Sequence, residues 1–220
     1  MEIPDELAVM TLPSATLFPQ ALLPLYIFEE RYRRMLKEAL GTHRMFIVAM
    51  QKPGRARETP SNIAGLGLIR VAVDNPDGTS HLILQGIRRV QLTSTTRYQP
   101  YRVARILPLQ TPQVDSVTVD ALLAKVRDLV NERVELGFHF PSKPKKPKQT
   151  TMLSMKEIVR HLDELNDADQ VADLVSCAML PGAAERQTIL ETVELEPRLK
   201  HLIHFLMAEI REHRKDKNHE

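Results

Sequence analysis

The chain has 220 residues, 43% hydrophobic and 26% charged, with 30 Lys and Arg against 28 Asp and Glu. That length holds one large domain or two small ones, and the composition is that of a soluble globular protein. No run approaches the ~18 apolar residues of a membrane span, Glu2, Asp5 and Glu6 carry the wrong sign for a secretory leader, and a single cysteine excludes an internal disulfide, so a cytoplasmic protein is expected. The charge is uneven. Residues 1–110 carry 14 Lys and Arg against 9 Asp and Glu, whereas residues 111–220 carry 16 against 19. Six of the eight glycines also lie before residue 110, which places a subdomain boundary there. The basic excess of the first half is too small to argue nucleic-acid binding.

Residues 7–12 and 21–27 read as two apolar strands flanking a loop punctuated by Pro13, Pro19 and Pro24. Each proline fixes a dihedral and removes a donor, which suits loops and strand ends. Leu17 and Phe18 are apolar inside that loop, so it is expected to fold back onto a core. From Glu29 the period becomes helical. Tyr32, Met35, Leu36, Ala39 and Leu40 share one face, and Gly41 stops the helix. Met45 to Met50 is a continuous apolar run, expected as a strand buried on both faces. Residues 52–62 read as an exposed loop.

Next comes a hairpin. Ile69, Val71 and Val73 alternate with Arg70 and Asp74, Asn75-Pro76-Asp77-Gly78 supplies turn chemistry, and His81 to Leu84 returns until Gly86 ends the strand. Further strands are expected around Val90–Leu92 and Tyr101–Leu107. Short strands joined by turns imply a small barrel or strongly bent sheet.

After Leu109 the period stays helical. Asp115 or Ser116 caps a helix with Val119, Leu122, Leu123, Val126, Leu129, Val130 and Val134 on one face. Residues 141–151, with three prolines, four lysines and no apolar side chain, read as a flexible linker. Ser154-x-x-Glu157 opens a helix burying Met155, Ile158, Val159, Leu162 and Leu165. Asp167-x-x-Gln170 opens another burying Val171, Leu174, Val175, Ala178 and Met179. Pro181-Gly182 breaks it, a short helix covers about 183–192, and the last helix presents Leu195, Leu199, Leu202, Leu206 and Ile210.

Two blocks carry a family resemblance. Leu12-Pro13, Leu17-Phe18-Pro19, Leu23-Pro24-Leu25 and Ile27-Phe28-Glu29-x-Arg31-Tyr32 form one. Ala172-Asp-Leu-Val175, Leu180-Pro181, Arg186-Gln-x-Ile-Leu-Glu191 and Glu196-x-Arg198-Leu199-x-x-Leu202-Ile203-x-x-Leu206 form the other. Together they resemble the Lon protease N-terminal domain family, which includes short stand-alone proteins. The hairpin 63–86 with Ile87-Arg88-Arg89-Val90 is similar to that family's Gly-x-x-Gly-x-Arg-Val block. The stretch 141–151 departs from the pattern. The resemblance implies an α+β chain, with an N-terminal PUA-like β pseudo-barrel and one early helix over 1–110 and a C-terminal α-helical bundle over 111–220. It also implies a stand-alone substrate-recognition module, adaptor- or chaperone-like, whose partners are unfolded or apolar polypeptide segments or a protein; self-association is compatible with it.

No residue set argues for catalysis. The chain has no Gly-x4-Gly-Lys-[Ser/Thr] loop, and Gly65-Leu-Gly67 lacks a third glycine and reads as a bend. Ser154-x-Lys156 is explained by capping. Cys177 reads as a buried small hydrophobe. His201 and His204 lack a third ligand for a metal, and Lys143, Lys145, Lys146 and Lys148 read as a solvated run. No catalytic, cofactor-binding or metal-binding residue is assigned, and the chain is expected not to be an enzyme. Leu17, Phe18, Tyr26 and Phe28 read first as core. The alternative assigns them to peptide binding, as the lining of an apolar groove. An RNA-binding PUA-like module and a small hydrolase are the rival functions.

Overall fold

The computed structural model describes residues 2–55, 58–112, 116–138 and 155–217. The stretch 141–151, Ser154 with its capping box, Asp115 and the four lysines lie outside them. The chain divides into two compact units, Met1–Gln110 and Thr111–Glu220.

The first unit contains β1 (Glu6–Leu12), β2 (Leu22–Ile27), α1 (Glu30–Leu40), β3 (Met45–Met50), β4 (Ile63–Asp74), β5 (Ser80–Arg97) and β6 (Arg102–Pro108). The sheet order is β2-β5-β4-β3-β1-β6, and β5 also pairs with β6. That extra pairing closes β1, β3, β4, β5 and β6 into a ring, with β2 added outside it. Closure removes the sheet edges that these five strands would otherwise expose. β1 runs parallel to β3, so the chain between them crosses over, and α1 lies in that connection.

All six residues of β3 are buried, because alternate side chains enter two cores. Phe46 and Val48 pack with Leu17, Leu84 and the α1 face formed by Tyr32, Met35, Leu36 and Ala39. Met45, Ile47 and Ala49 pack with Leu7, Val9, Leu66, Val90 and Ala104. The Tyr32 hydroxyl donates to the Thr11 carbonyl and accepts from the Thr11 N–H, both at 3.2 Å. Burial pushes the Tyr32 pKa up to about 12, so the phenol remains a donor at neutral pH.

Three expectations for this unit need correction. Gly86 does not end a strand: β5 is one 18-residue strand running through it. Its first half pairs with β2 and the end of β4, and its second half with the start of β4 and with β6. Gly86 permits this because a Cβ there would lie 1.9 Å from the Phe18 carbonyl oxygen. The loop expected to be exposed over 52–62 is tied down at both described ends. Lys52 N–H donates to the Thr59 carbonyl at 2.8 Å, Ser61 N–H to the Met50 carbonyl at 2.7 Å, and Ser61 is buried. Finally, the alternation in β4 does not hold through Val73. The register slips between Ile69 and Val71, leaving Arg70 as an extra residue in a bulge. Ile69 therefore faces the core while Val71 and Val73 face outward.

The second unit is helical: α2 (Val117–Glu135), α3 (Met155–Glu164), α4 (Ala168–Met179), α5 (Ala183–Glu191) and α6 (Leu195–Lys217). The Ser116 hydroxyl caps α2 by accepting from the Val119 N–H at 3.1 Å. Asp167 caps α4 by accepting from the Asp169 N–H at 2.9 Å. Leu199, Leu202, Leu206 and Ile210 form the buried stripe of α6. Two arginines are buried with it. Arg133 pairs with Glu209 and donates to the Met179 carbonyl, and burial lowers its pKa to about 10, which leaves it charged. Arg198 is fully buried among Asp169, Asp173 and the Thr192 and Val193 carbonyls. Cys177 is exposed, contrary to the sequence reading. The buried face of α4 runs through Val171, Ala172, Val175, Ser176 and Met179, and Cys177 falls on the opposite side of the helix. Among the described residues, no helix is long and apolar enough to cross a membrane.

Candidate functional site

The bulge at Arg70 builds the most unusual surface of the first unit. Beyond it, β4 turns Val71 and Val73 outward. β5 places Ile83 and His81 beside them, and β2 adds Pro24 and Tyr26. The cross-strand rows are Pro24–Ile83–Val71 and Tyr26–His81–Val73, with Leu22 opposite Gln85. Side chains in such rows touch directly. Phe28 is 60% exposed, Val73 56% and Leu22 62%, and Tyr26, Val71 and Ile83 are exposed as well. Lone exposed apolar residues need no explanation, but a contiguous group on one sheet face marks an interaction surface.

The aromatic rings gather at one end. Tyr26 and Phe28 stack with centroids 5.8 Å apart, and the His81 ring lies 4.8 Å from Tyr26. Between the rings and the valines lies an open depression of about 390 Å³, lined by Pro24, Leu25, Tyr26, Val71, Val73, His81, Leu82 and Ile83. None of these residues is acidic. Arg70 stands at the far end of the face, its Nε donating to the Gln85 side chain at 2.5 Å. The face offers aliphatic and aromatic contact, with one cation at its margin.

The four residues expected at a peptide site separate. Tyr26 and Phe28 lie on this face. Leu17 and Phe18 are fully buried, because their carbonyls seat against Gly65 and Gly86 and draw the loop onto the sheet. A ligand on the folded surface therefore reaches Tyr26 and Phe28 but not Leu17 or Phe18. Sequence reasoning missed Val71 and Val73, since strict alternation from Ile69 sends both toward a core, and it assigned no face to Ile83, which lies between the buried Leu82 and Leu84. No glycine marks this bulge; an arginine between β-branched residues was the only local hint.

A second cleft, about 490 Å³, lies between α1 and the β4–β5 turn and is lined by Glu30, Arg33, Arg34, Lys37, Asp74 and Ser80 among others. Glu30 already pairs with Arg34 at 3.0 Å and Arg33 at 3.5 Å, so much of its charge is compensated internally. Among the described residues no group of three His, Cys, Asp or Glu side chains can hold a metal. His201 contacts the Thr192 hydroxyl at 3.2 Å and His204 packs against Phe205, so each has a structural neighbour.

The sequence profile of the ATP-dependent protease La (LON) substrate-binding domain matches residues 6–208. Lon protease of Dictyoglomus thermophilum is 23% identical over 212 residues, covering 95% of this chain and 25% of that protein. Lon protease of Brucella suis is 27% identical over 207 residues, covering 92% and 24%. The chain thus spans about a quarter of the length of these curated relatives. The N-terminal domain of a Mycobacterium avium complex Lon protease superposes with a TM-score of 0.68 at 17% identity, covering 92% of this chain and 98% of that one. The Lon N-terminal domain protein of Xanthomonas campestris gives 0.62 at 20% identity, covering 91% and 98%. At such identities the superpositions establish a shared fold.

Proposed function

The chain belongs to the Lon protease substrate-binding domain family, and from that premise we propose that it recognises unfolded or apolar polypeptide segments and binds them without cleaving them. The observation that carries the reading is the exposed apolar face of β2, β4 and β5, where Tyr26, Phe28, Val71, Val73 and Ile83 stand clear of any core. Burying such side chains against a ligand's apolar groups gains about 25 cal/mol per Å² removed from water, and a chain that has lost its own fold presents such groups. The role is adaptor- or chaperone-like: it holds a segment. The sequence holds no Gly-x4-Gly-Lys-[Ser/Thr] phosphate loop.

Salt distinguishes this reading from RNA binding. Apolar contact does not weaken between about 50 and 200 mM salt, whereas binding through 6–10 phosphates loses roughly 10³–10⁵ in affinity. Fluorescence anisotropy is measured with a labelled unfolded polypeptide and a labelled RNA across that range. The expected result is polypeptide binding that persists at the higher salt. Salt-sensitive RNA binding with no polypeptide binding overturns the proposal, as does cleavage of the polypeptide by the purified chain.

A further inference from the structure

The apolar face ends at β2, which has no second strand partner among the described residues. Two ways of holding a polypeptide therefore meet at one place: side chains on the face, or backbone bonds along the free edge of β2. The hydrogen bonds decide which is available. Gly86 N–H donates to the Ala21 carbonyl at 2.8 Å, so that carbonyl faces β5. In an antiparallel ladder this direction alternates. Leu23, Leu25 and Ile27 then face β5, and Leu22, Pro24 and Tyr26 turn their backbone groups to the free edge. The central residue of that edge is a proline and has no N–H to give. An added strand would leave one of its carbonyls without a partner at the middle of the ladder, and proline on an edge strand is a known block to pairing.

Resting on the polypeptide reading, we infer that the β2–β5–β4 face takes an apolar segment through its side chains, and that Pro24 closes the adjoining edge to strand addition. The charge around the face states the segment further. Arg70 stands at one end and no carboxylate lines the depression. The favoured occupant is an apolar segment with acidic flanks.

The test uses a labelled peptide alternating leucine and valine between glutamate flanks, with two derivatives N-methylated at odd or at even backbone positions. A strand added to an edge depends on one of the two sets of N–H groups; a segment held by side chains depends on neither. Both derivatives are expected to bind the intact chain within about threefold of the parent peptide. Loss of about tenfold or more in one derivative only overturns the inference, and so does a lysine-flanked version that binds more tightly than the glutamate-flanked one. If no peptide binds while the unfolded polypeptide does, the inference fails and the polypeptide reading stands. If neither binds, the polypeptide reading itself has failed.

Discussion

Replacing Arg198 by alanine is expected to cost about 3–5 kcal/mol of stability in the helical unit, the range for breaking a buried charge pair from one side. The Arg198 side chain is fully buried. Its guanidinium pairs with Asp169 and with Asp173 at 3.4 Å, and donates to the Thr111 hydroxyl at 3.1 Å and to the Thr192 carbonyl at 2.7 Å. Thr192 is the C-cap of α5, so the cation also answers the negative end of that helix. Truncation leaves the nearly buried Asp173 carboxylate without this cation and removes a donor from the carbonyls of the α5–α6 turn. Arg198→Lys restores one point charge but not the planar fork, so it is expected to recover little. Urea midpoints measure the effect, with Arg214→Ala as the control. Arg214 reaches Glu132 at 2.8 Å on an exposed flank, and such pairs contribute about 0–1 kcal/mol. A midpoint for the Arg198→Ala variant no lower than the control's contradicts the expectation.

Gly65→Ala is expected to destabilise the β unit by about 3 kcal/mol or more, at or beyond the usual cost of overpacking. A Cβ built at Gly65 lies 2.0 Å from the Leu17 carbonyl oxygen and 2.7 Å from the Leu17 Cβ. The obstacle is mainly backbone, so no rotamer change relieves it. The loop must lift, and Leu17 and Phe18 leave the core with it. Gly86→Ala meets the Phe18 carbonyl in the same way, at 1.9 Å. Gly41→Ala is the control: its φ is −79° and its nearest neighbours lie at 3.6 and 3.7 Å, so it is expected to change stability by no more than about 0.5 kcal/mol. Thermal midpoints of the three variants check the ordering, and a Gly65→Ala midpoint equal to that of Gly41→Ala contradicts it.

These two sites also mark where the sequence stopped being readable. The β3 run, the α1 face and the α6 stripe were legible because hydrophobic period reports burial directly. The loop carrying Leu17 and Phe18 was legible as a segment folding back, since apolar residues in a proline-rich loop need somewhere to go. What held it there was not legible. Gly65 and Gly86 look like bends or strand ends, and their actual service, room for two carbonyls, depends on residues 48 and 68 positions away in sequence. Arg198 was visible only as a letter in a family motif, because nothing local shows that its partners Asp169 and Asp173 lie on α4. The apolar face was hidden by one residue: a bulge at Arg70 changes the phase of β4, and from there the same alternation that places Ile69 inside places Val71 and Val73 outside. Tyr26 and Phe28 were readable as the lining of an apolar groove on their apolar character, and Leu17 and Phe18 were readable so on the same grounds although they are core.

The central claim, that this face holds polypeptide, is tested most directly by placing a charge in its middle. Ile83 is already exposed and pairs with Pro24 and Val71 across the strands, so Ile83→Lys adds an ammonium to the face without opening a core. Affinity for a labelled unfolded polypeptide is measured by anisotropy for the parent chain and the variant, alongside their urea midpoints. The account predicts a loss of about tenfold or more in affinity, with midpoints that agree within about 0.5 kcal/mol. Undiminished binding by a variant of unchanged stability would contradict it.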